Sequence, residues 1–110
     1  MMYQVTLSAQ ANDDLRAIYE YIAYELRATE NAKAQLRRLE ERICALEEMP
    51  ERHRRYEDEP WRTRGLRLMP VDHYLVFYIV DQESGTVNIV RILYGGCDIF
   101  TQLERYMGKR

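Results

Sequence analysis

Residues 74–80 read Tyr-Leu-Val-Phe-Tyr-Ile-Val, seven apolar side chains in succession. In extended backbone Tyr74, Val76, Tyr78 and Val80 point one way and Leu75, Phe77 and Ile79 the other, so neither face is left for water. Such a segment is the central strand of a sheet. It is also the longest apolar run in the chain, far short of the roughly 20 residues a membrane helix needs.

The flanking residues extend the sheet. Asp81 to Thr86, with Ser84-Gly85, is a hairpin turn, and Val87 to Tyr94 returns as a strand with Arg91 set inside an apolar run. Upstream, Gly65 to Val71 supplies a third antiparallel strand. At the N-terminus Tyr3, Val5 and Leu7 alternate along a short strand, and Ser8 offers an N-cap hydroxyl. Ala11, Leu15, Ile18, Ile22 and Leu26 then form one helical stripe, with Asp13 and Asp14 suited to the positive helix end and Tyr19 and Tyr21 flanking as packing residues. Thr29 caps a second helix, with Ala32, Leu36, Leu39, Ile43 and Leu46 on its stripe, and Met49-Pro50 ends it.

The short link predicts an antiparallel helical hairpin lying on the sheet. Residues 50–64 read as a surface loop from which Trp61 docks on the helices or the sheet. Asp98 caps a short terminal helix, Ile99 to Met107. The expectation is one α+β domain spanning 1–110: strand, helical hairpin, three-stranded antiparallel meander, short C-terminal helix. The hairpin covers one sheet face and leaves the other partly open, edged by Arg67, Arg91 and one set of strand tyrosines.

At 110 residues the chain can bury about 65% of its extended surface and needs no staple. Cys44 and Cys97 lack metal-ligand spacing, so no metal or cofactor is expected, and free thiols fit a cytoplasmic protein. A net charge of −2 argues against a nonspecific nucleic-acid binder. Of the 16 basic residues only Lys33 and Lys109 are lysines. The cationic chemistry is therefore almost wholly guanidinium, suited to bidentate contact with carboxylate or phosphate. Arg52, Arg54, Arg55, Arg62, Arg64 and Arg67 outnumber Glu57, Asp58 and Glu59 in one stretch, either a local patch or a solvated loop.

The ordered series Gly65-Leu66-Arg67, Pro70-Val71, Tyr74-Leu75-Val76-Phe77-Tyr78 and Val90-Arg91-Ile92-Leu93-Tyr94-Gly95, closing on Asp98, resembles the RelE/ParE superfamily of type II toxins. The likeness is greatest to ParE, whose series usually ends His-Gly-x-Arg-Asp where this chain has Tyr94-Gly95-Gly96-Cys97-Asp98. That resemblance implies the fold just outlined, a cognate ParD-like antitoxin in a hetero-oligomer and DNA gyrase as target. The chain would then poison by binding and need no proton-transfer pair. Arg67, Arg91, Tyr94, Tyr74, Tyr78 and Asp98 are the candidate target-binding residues, and Arg67, Arg91, Arg62 and Arg64 would meet acidic groups of the antitoxin.

RelE-like members instead cleave messenger RNA on the ribosome. They place an arginine where this chain has Leu75, leaving His73 and Tyr94 as the candidates for catalysis. A third reading is an attenuated antitoxin-binding module, motivated by Tyr94 and Cys97 at the positions of the ParE His and Arg.

Overall fold

The computed structural model describes residues 2–96, 98–99 and 101–103. The element order is β1 (Gln4–Leu7), α1 (Ala9–Glu20), α2 (Thr29–Cys44), β2 (Leu66–Val71), β3 (Tyr74–Asp81) and β4 (Thr86–Tyr94), followed by a helical turn at 99 and 101–103. Ser8 caps α1 as its sequence implies, its hydroxyl accepting from Ala11 N at 2.9 Å and donating to Val90 O at 2.8 Å. The terminal turn likewise begins at Asp98, whose carboxylate accepts from the Thr101 N–H and hydroxyl, a contact that holds its pKa below the usual carboxylate range. The predicted continuation of that helix to Met107 lies outside the described residues.

The join between the helices departs from the sequence pattern. α1 runs into a π-helical turn, Tyr21–Glu25, closed by Leu26 N donating to Tyr21 O at 3.1 Å, and Arg27 then turns left-handed at φ 53°. One extra residue in a turn rotates the residues after it about the helix axis. Ile22 stays buried, while Leu26 leaves the apolar stripe and is 56% exposed, with Tyr21 and Tyr24 exposed beside it. Thr29 is not the cap of α2; Ala28 occupies that place and accepts from Ala32 N at 2.9 Å. The helix begins one residue early because the tight left-handed link delivers the chain already turned.

The sheet has the order β1-β4-β3-β2, with β1 parallel to β4 and the remaining pairs antiparallel. β1 thus joins the three-stranded meander as a fourth strand, at the far side of β4. A bulge interrupts the β3–β4 ladder: Phe77 opposes Arg91 and Tyr78 opposes Ile89, leaving Val90 over. α1 and α2 close one face through Ala11, Leu39 and Ile43, joined by Leu46 from the 3-10 turn after α2, against Met69, Val76, Tyr78, Ile89 and Ile92.

The opposite face is not left open as the sequence suggested. Trp61, with no exposed surface, and Leu103 cover it against Leu66, Leu68, Phe77, Val90 and Leu93. The alternation along β3 requires this, since Phe77 and Tyr78 are both fully buried on opposite faces. The outer edge of β2 is closed as well: Tyr56 N donates to Leu66 O and Leu68 N to Arg54 O, while Pro70 has no N–H to offer.

Candidate functional site

Arg91 was expected on an open face. It lies instead at the edge of β4 beside the bulge, where Asp14 of α1 meets it in a two-pronged ion pair. Arg91 Nε donates to Asp14 Oδ2 and Nη2 to Asp14 Oδ1, each at 2.8 Å, and Nη1 donates to Gln102 O at 3.3 Å. Asp14 Oδ2 also accepts from Ile92 N at 2.8 Å, and both side chains of the pair are only 13% exposed. Asp14 is therefore no helix-end charge. The sequence carries a signal for it: Ala11, Asp14, Leu15 and Ile18 share one helix face, so a carboxylate on an apolar stripe matches an arginine inside an apolar strand.

Arg67 stands opposite Tyr78 on β3 and donates from Nη1 to His53 O at 2.7 Å and Glu51 O at 3.1 Å. β3 separates it from Arg91, so the structure does not bring the two arginines into one patch. Tyr78, expected as an apolar floor for a target, is a core residue with its hydroxyl donating to Pro50 O at 2.6 Å. Burial pushes its pKa up to about 12, against opposing pulls from Arg67 and Arg52. His53 packs edge-on against the Tyr78 ring. Its Nε2 is buried without a hydrogen-bond partner among the described residues, and burial, then Arg52 and Arg42, lower its pKa. Arg62 and Arg64 are exposed, the latter with its guanidinium carbon 5.3 Å from the Trp61 ring centroid.

The groups that do come together surround a groove of about 1080 Å³ between the end of α1, α2 and the open end of β4. Its apolar wall includes Ala17, Ile18, Ile22 and Ile92, and Tyr21, Tyr74 and Tyr94 stand on its margin. Tyr74 and Tyr94 pack edge to face at 6.1 Å between centroids. Burial raises the Tyr74 pKa, with further pushes from Tyr21 and Tyr94. Tyr94 is 58% exposed and its ring lies over Gly96, where an added Cβ would stand 2.6 Å from Cε2.

His73 is an exposed turn residue whose carbonyl accepts from Gly95 N at 2.9 Å. Beside it Asp72, left-handed at φ 55°, receives Arg38 Nε at 2.7 Å and Gln35 Nε2 at 2.9 Å, and these hydrogen bonds lower its pKa. The hairpin tip is thereby tethered to α2. The groove joins both catalytic candidates to Tyr74, while Arg67, Tyr78 and Asp98 lie elsewhere. Sequence reading missed the exposed Tyr24 and Leu26, because the π turn that rotates them outward has no signature in the apolar spacing. Among the described residues no group of three or more His, Cys, Asp and Glu is placed to hold a metal ion.

A helical hairpin packed on a four-stranded mixed sheet, with a short C-terminal helix behind it, defines the RelE/ParE superfamily fold. The chain superposes on the chromosomal ParDE toxin-antitoxin system of P. aeruginosa with a TM-score of 0.71 at 21% identity, covering 84% of this chain and 96% of that one. Against the RelBE2 toxin-antitoxin complex of Mycobacterium tuberculosis the TM-score is 0.64 at 22% identity, covering 86% and 99%. A double mutant of the E. coli toxin RelE in the free state gives 0.64 at 15% identity over 100% and 98%. No curated protein sequence matches. The family model of the ParE toxin of the parDE type II toxin-antitoxin system matches residues 5–98, and the chain belongs to that family.

Proposed function

We propose that this type II toxin arrests growth in the cytoplasm by binding DNA gyrase, and that a cognate ParD-like antitoxin neutralises it in a hetero-oligomer. The observation that carries the reading is the commitment of the arginines around the site. At the groove Arg38 is engaged by Asp72, and Arg91 by Asp14 and Gln102 O; away from it Arg67 is held by two main-chain carbonyls. The solvent-facing surface at the groove is more apolar than polar, with Asn31, Gln35 and His73 among its polar residues, and bears Tyr21, Tyr74 and Tyr94. That composition suits a protein partner, for which aromatic anchors are favoured. Ribonuclease chemistry asks for something different, namely cations aimed at a developing phosphorane charge. Leu75, at the position of the RelE-like arginine, packs on the core behind the sheet.

Tyr94, Tyr74 and the neighbouring Tyr21 and Tyr24 are the proposed target contacts. Arg62 and Arg64 remain available to acidic groups of an antitoxin. Regulated expression in bacteria tests the reading, with growth, the DNA-damage response and messenger RNA cleavage scored together. Damage signalling without cleavage is the expected result. Cleavage at ribosomal codons would replace gyrase with the ribosome, and normal growth would leave an antitoxin-binding module without toxicity.

A further inference from the structure

The β2–β3 hairpin turns in two residues, Asp72 and His73, between the paired Val71 and Tyr74. Asp72 is left-handed there at φ 55°, where glycine is unstrained and most L residues are not, and such strain persists only where the surroundings hold it. Both partners of the carboxylate come from α2. Gln35 Nε2 at 2.9 Å and Arg38 Nε at 2.7 Å donate to the same oxygen, Oδ2, and Arg38 Nη2 donates to Gln35 Oε1 at 3.3 Å, which closes a ring of hydrogen bonds. Gln35, 7% exposed, is the one non-aromatic polar residue buried among the described residues. Burying an amide is tolerated when its hydrogen bonds are met, and here Asp72 and Arg38 meet them. The Arg38 arm is half exposed, so the Gln35 arm is the less screened of the two. Both arms rise from one side of a helix whose Leu39 and Ile43 are locked in the core, so the anchor is rigid.

The tethered tip carries the last rung of the sheet. Tyr74, the first residue of β3, pairs with Tyr94, the last of β4, their rings lie edge to face at 6.1 Å, and His73 O accepts from Gly95 N at 2.9 Å. End rungs of a ladder fray when nothing holds them. We propose that Gln35 and Arg38 are positioning residues which, acting through Asp72, keep this rung closed and so set the arrangement in which Tyr74 and Tyr94 are presented to the target. The proposal rests on the gyrase reading for the identity of that target and adds how its contact surface is held in one arrangement. Side chains ordered before binding lose little freedom on binding, so the tether acts on affinity more than on stability. Gln35 is too little exposed to be a target contact itself, which separates its role from that of Tyr94.

Gln35→Glu keeps the side-chain shape but replaces the amide donor with a second carboxylate facing Asp72. Adding Asp72→Asn returns a donor to the pair, and asparagine tolerates the left-handed turn. Two measurements on the full chain test the tether, nuclear Overhauser contacts between the Tyr74 and Tyr94 rings and calorimetric binding to purified gyrase, both at a temperature where thermal melts show every protein fully folded. Gln35→Glu is expected to lose the ring contacts and to bind at least about tenfold more weakly, while the double variant recovers the contacts and comes within about threefold of the parent chain. Ring contacts unchanged in folded Gln35→Glu, affinity unchanged despite their loss, or a double variant as weak as the single each overturn the positioning role. Should Gln35→Glu fail to fold, Gln35→Met, which removes the donor without adding charge, takes its place with the same losses expected. A parent chain that does not bind gyrase overturns the target reading instead, and the ring contacts of the variants still decide whether the tether holds the rung.

Discussion

Replacing Asp14 should damage the protein more than replacing Arg91, and the hydrogen bonds say by how much. Asp14→Ala leaves a guanidinium that is 13% exposed without its carboxylate and removes the acceptor of the Ile92 N–H. Breaking a buried pair costs about 3–5 kcal/mol, and an unmet buried N–H about 1–3 kcal/mol. Some overlap and some hydration of the cavity are expected, so the loss should fall near 4–5 kcal/mol. For a chain of this size that lowers Tm by roughly 15–20 °C. Arg91→Ala leaves Asp14 its main-chain donor and should lose about 3 kcal/mol. Asp14→Ala with Arg91→Ala removes both charges and should fall short of the sum of the two single losses by at least about 2 kcal/mol. Urea unfolding of the four proteins at one pH measures the cycle. Equal losses below about 0.5 kcal/mol for both single variants, or strict additivity, would refute the reasoning and return Arg91 to the surface role its sequence first suggests.

Tyr78→Phe should lose about 1–2 kcal/mol through the missing bond to Pro50 O, seen as a lower urea midpoint at unchanged slope. Because the folded Tyr78 pKa is raised from 10.0 to about 12, its stabilising contribution is complete below pH 10 and lost as pH rises through 12; the Phe variant should show less alkaline loss of stability. His53 works in the opposite direction. Its pKa is lowered from 6.5, so its contribution is present above that value and lost as pH falls through the folded one, and His53→Gln should flatten the acid limb of stability measured by thermal melts. Tyr21→Ala with Tyr24→Ala should move Tm by no more than a few degrees, both rings being exposed, while weakening binding to gyrase by calorimetry at least about tenfold. Gly96→Ala should displace the exposed Tyr94 ring from Tyr74 at a stability loss below about 1 kcal/mol, visible as a change in the ring resonances of both tyrosines.

Much of the architecture was legible because apolar spacing reports burial directly. The two faces of β3, the stripe of α2 and the capping roles of Ser8 and Asp98 follow from periodicity and local hydrogen bonding. The family series located the chain's relatives for the same reason, since it is carried by strand residues. The features that stayed hidden depend on one-residue geometry. The π turn displaced Leu26 from its stripe, and the bulge at Val90 decided where Arg91 would lie. The partial openness expected of the second face failed because Trp61 and Leu103 come from segments whose docking no strand pattern specifies. The tyrosine margin of the groove gathers the π turn and two strand ends, so sequence spacing held no record of it.

The bulge also bears on how relatives are compared with this chain. Before Val90, β4 is registered by β1; after it, by Asp14, which takes the Ile92 N–H. On the side away from β3, which pairs with both halves, the strand is thus held by different partners before and after the bulge, and its two halves count their faces from different origins. A relative lacking the extra residue would keep the same apolar letters yet turn its counterpart of Ile92 toward the neighbouring strand, and the buried carboxylate would find no main-chain donor. In aligned sequences that change would look like a harmless gap inside a hydrophobic run. It would mark instead a different way of anchoring the closing motif, and residues on its two sides should be compared as separate segments.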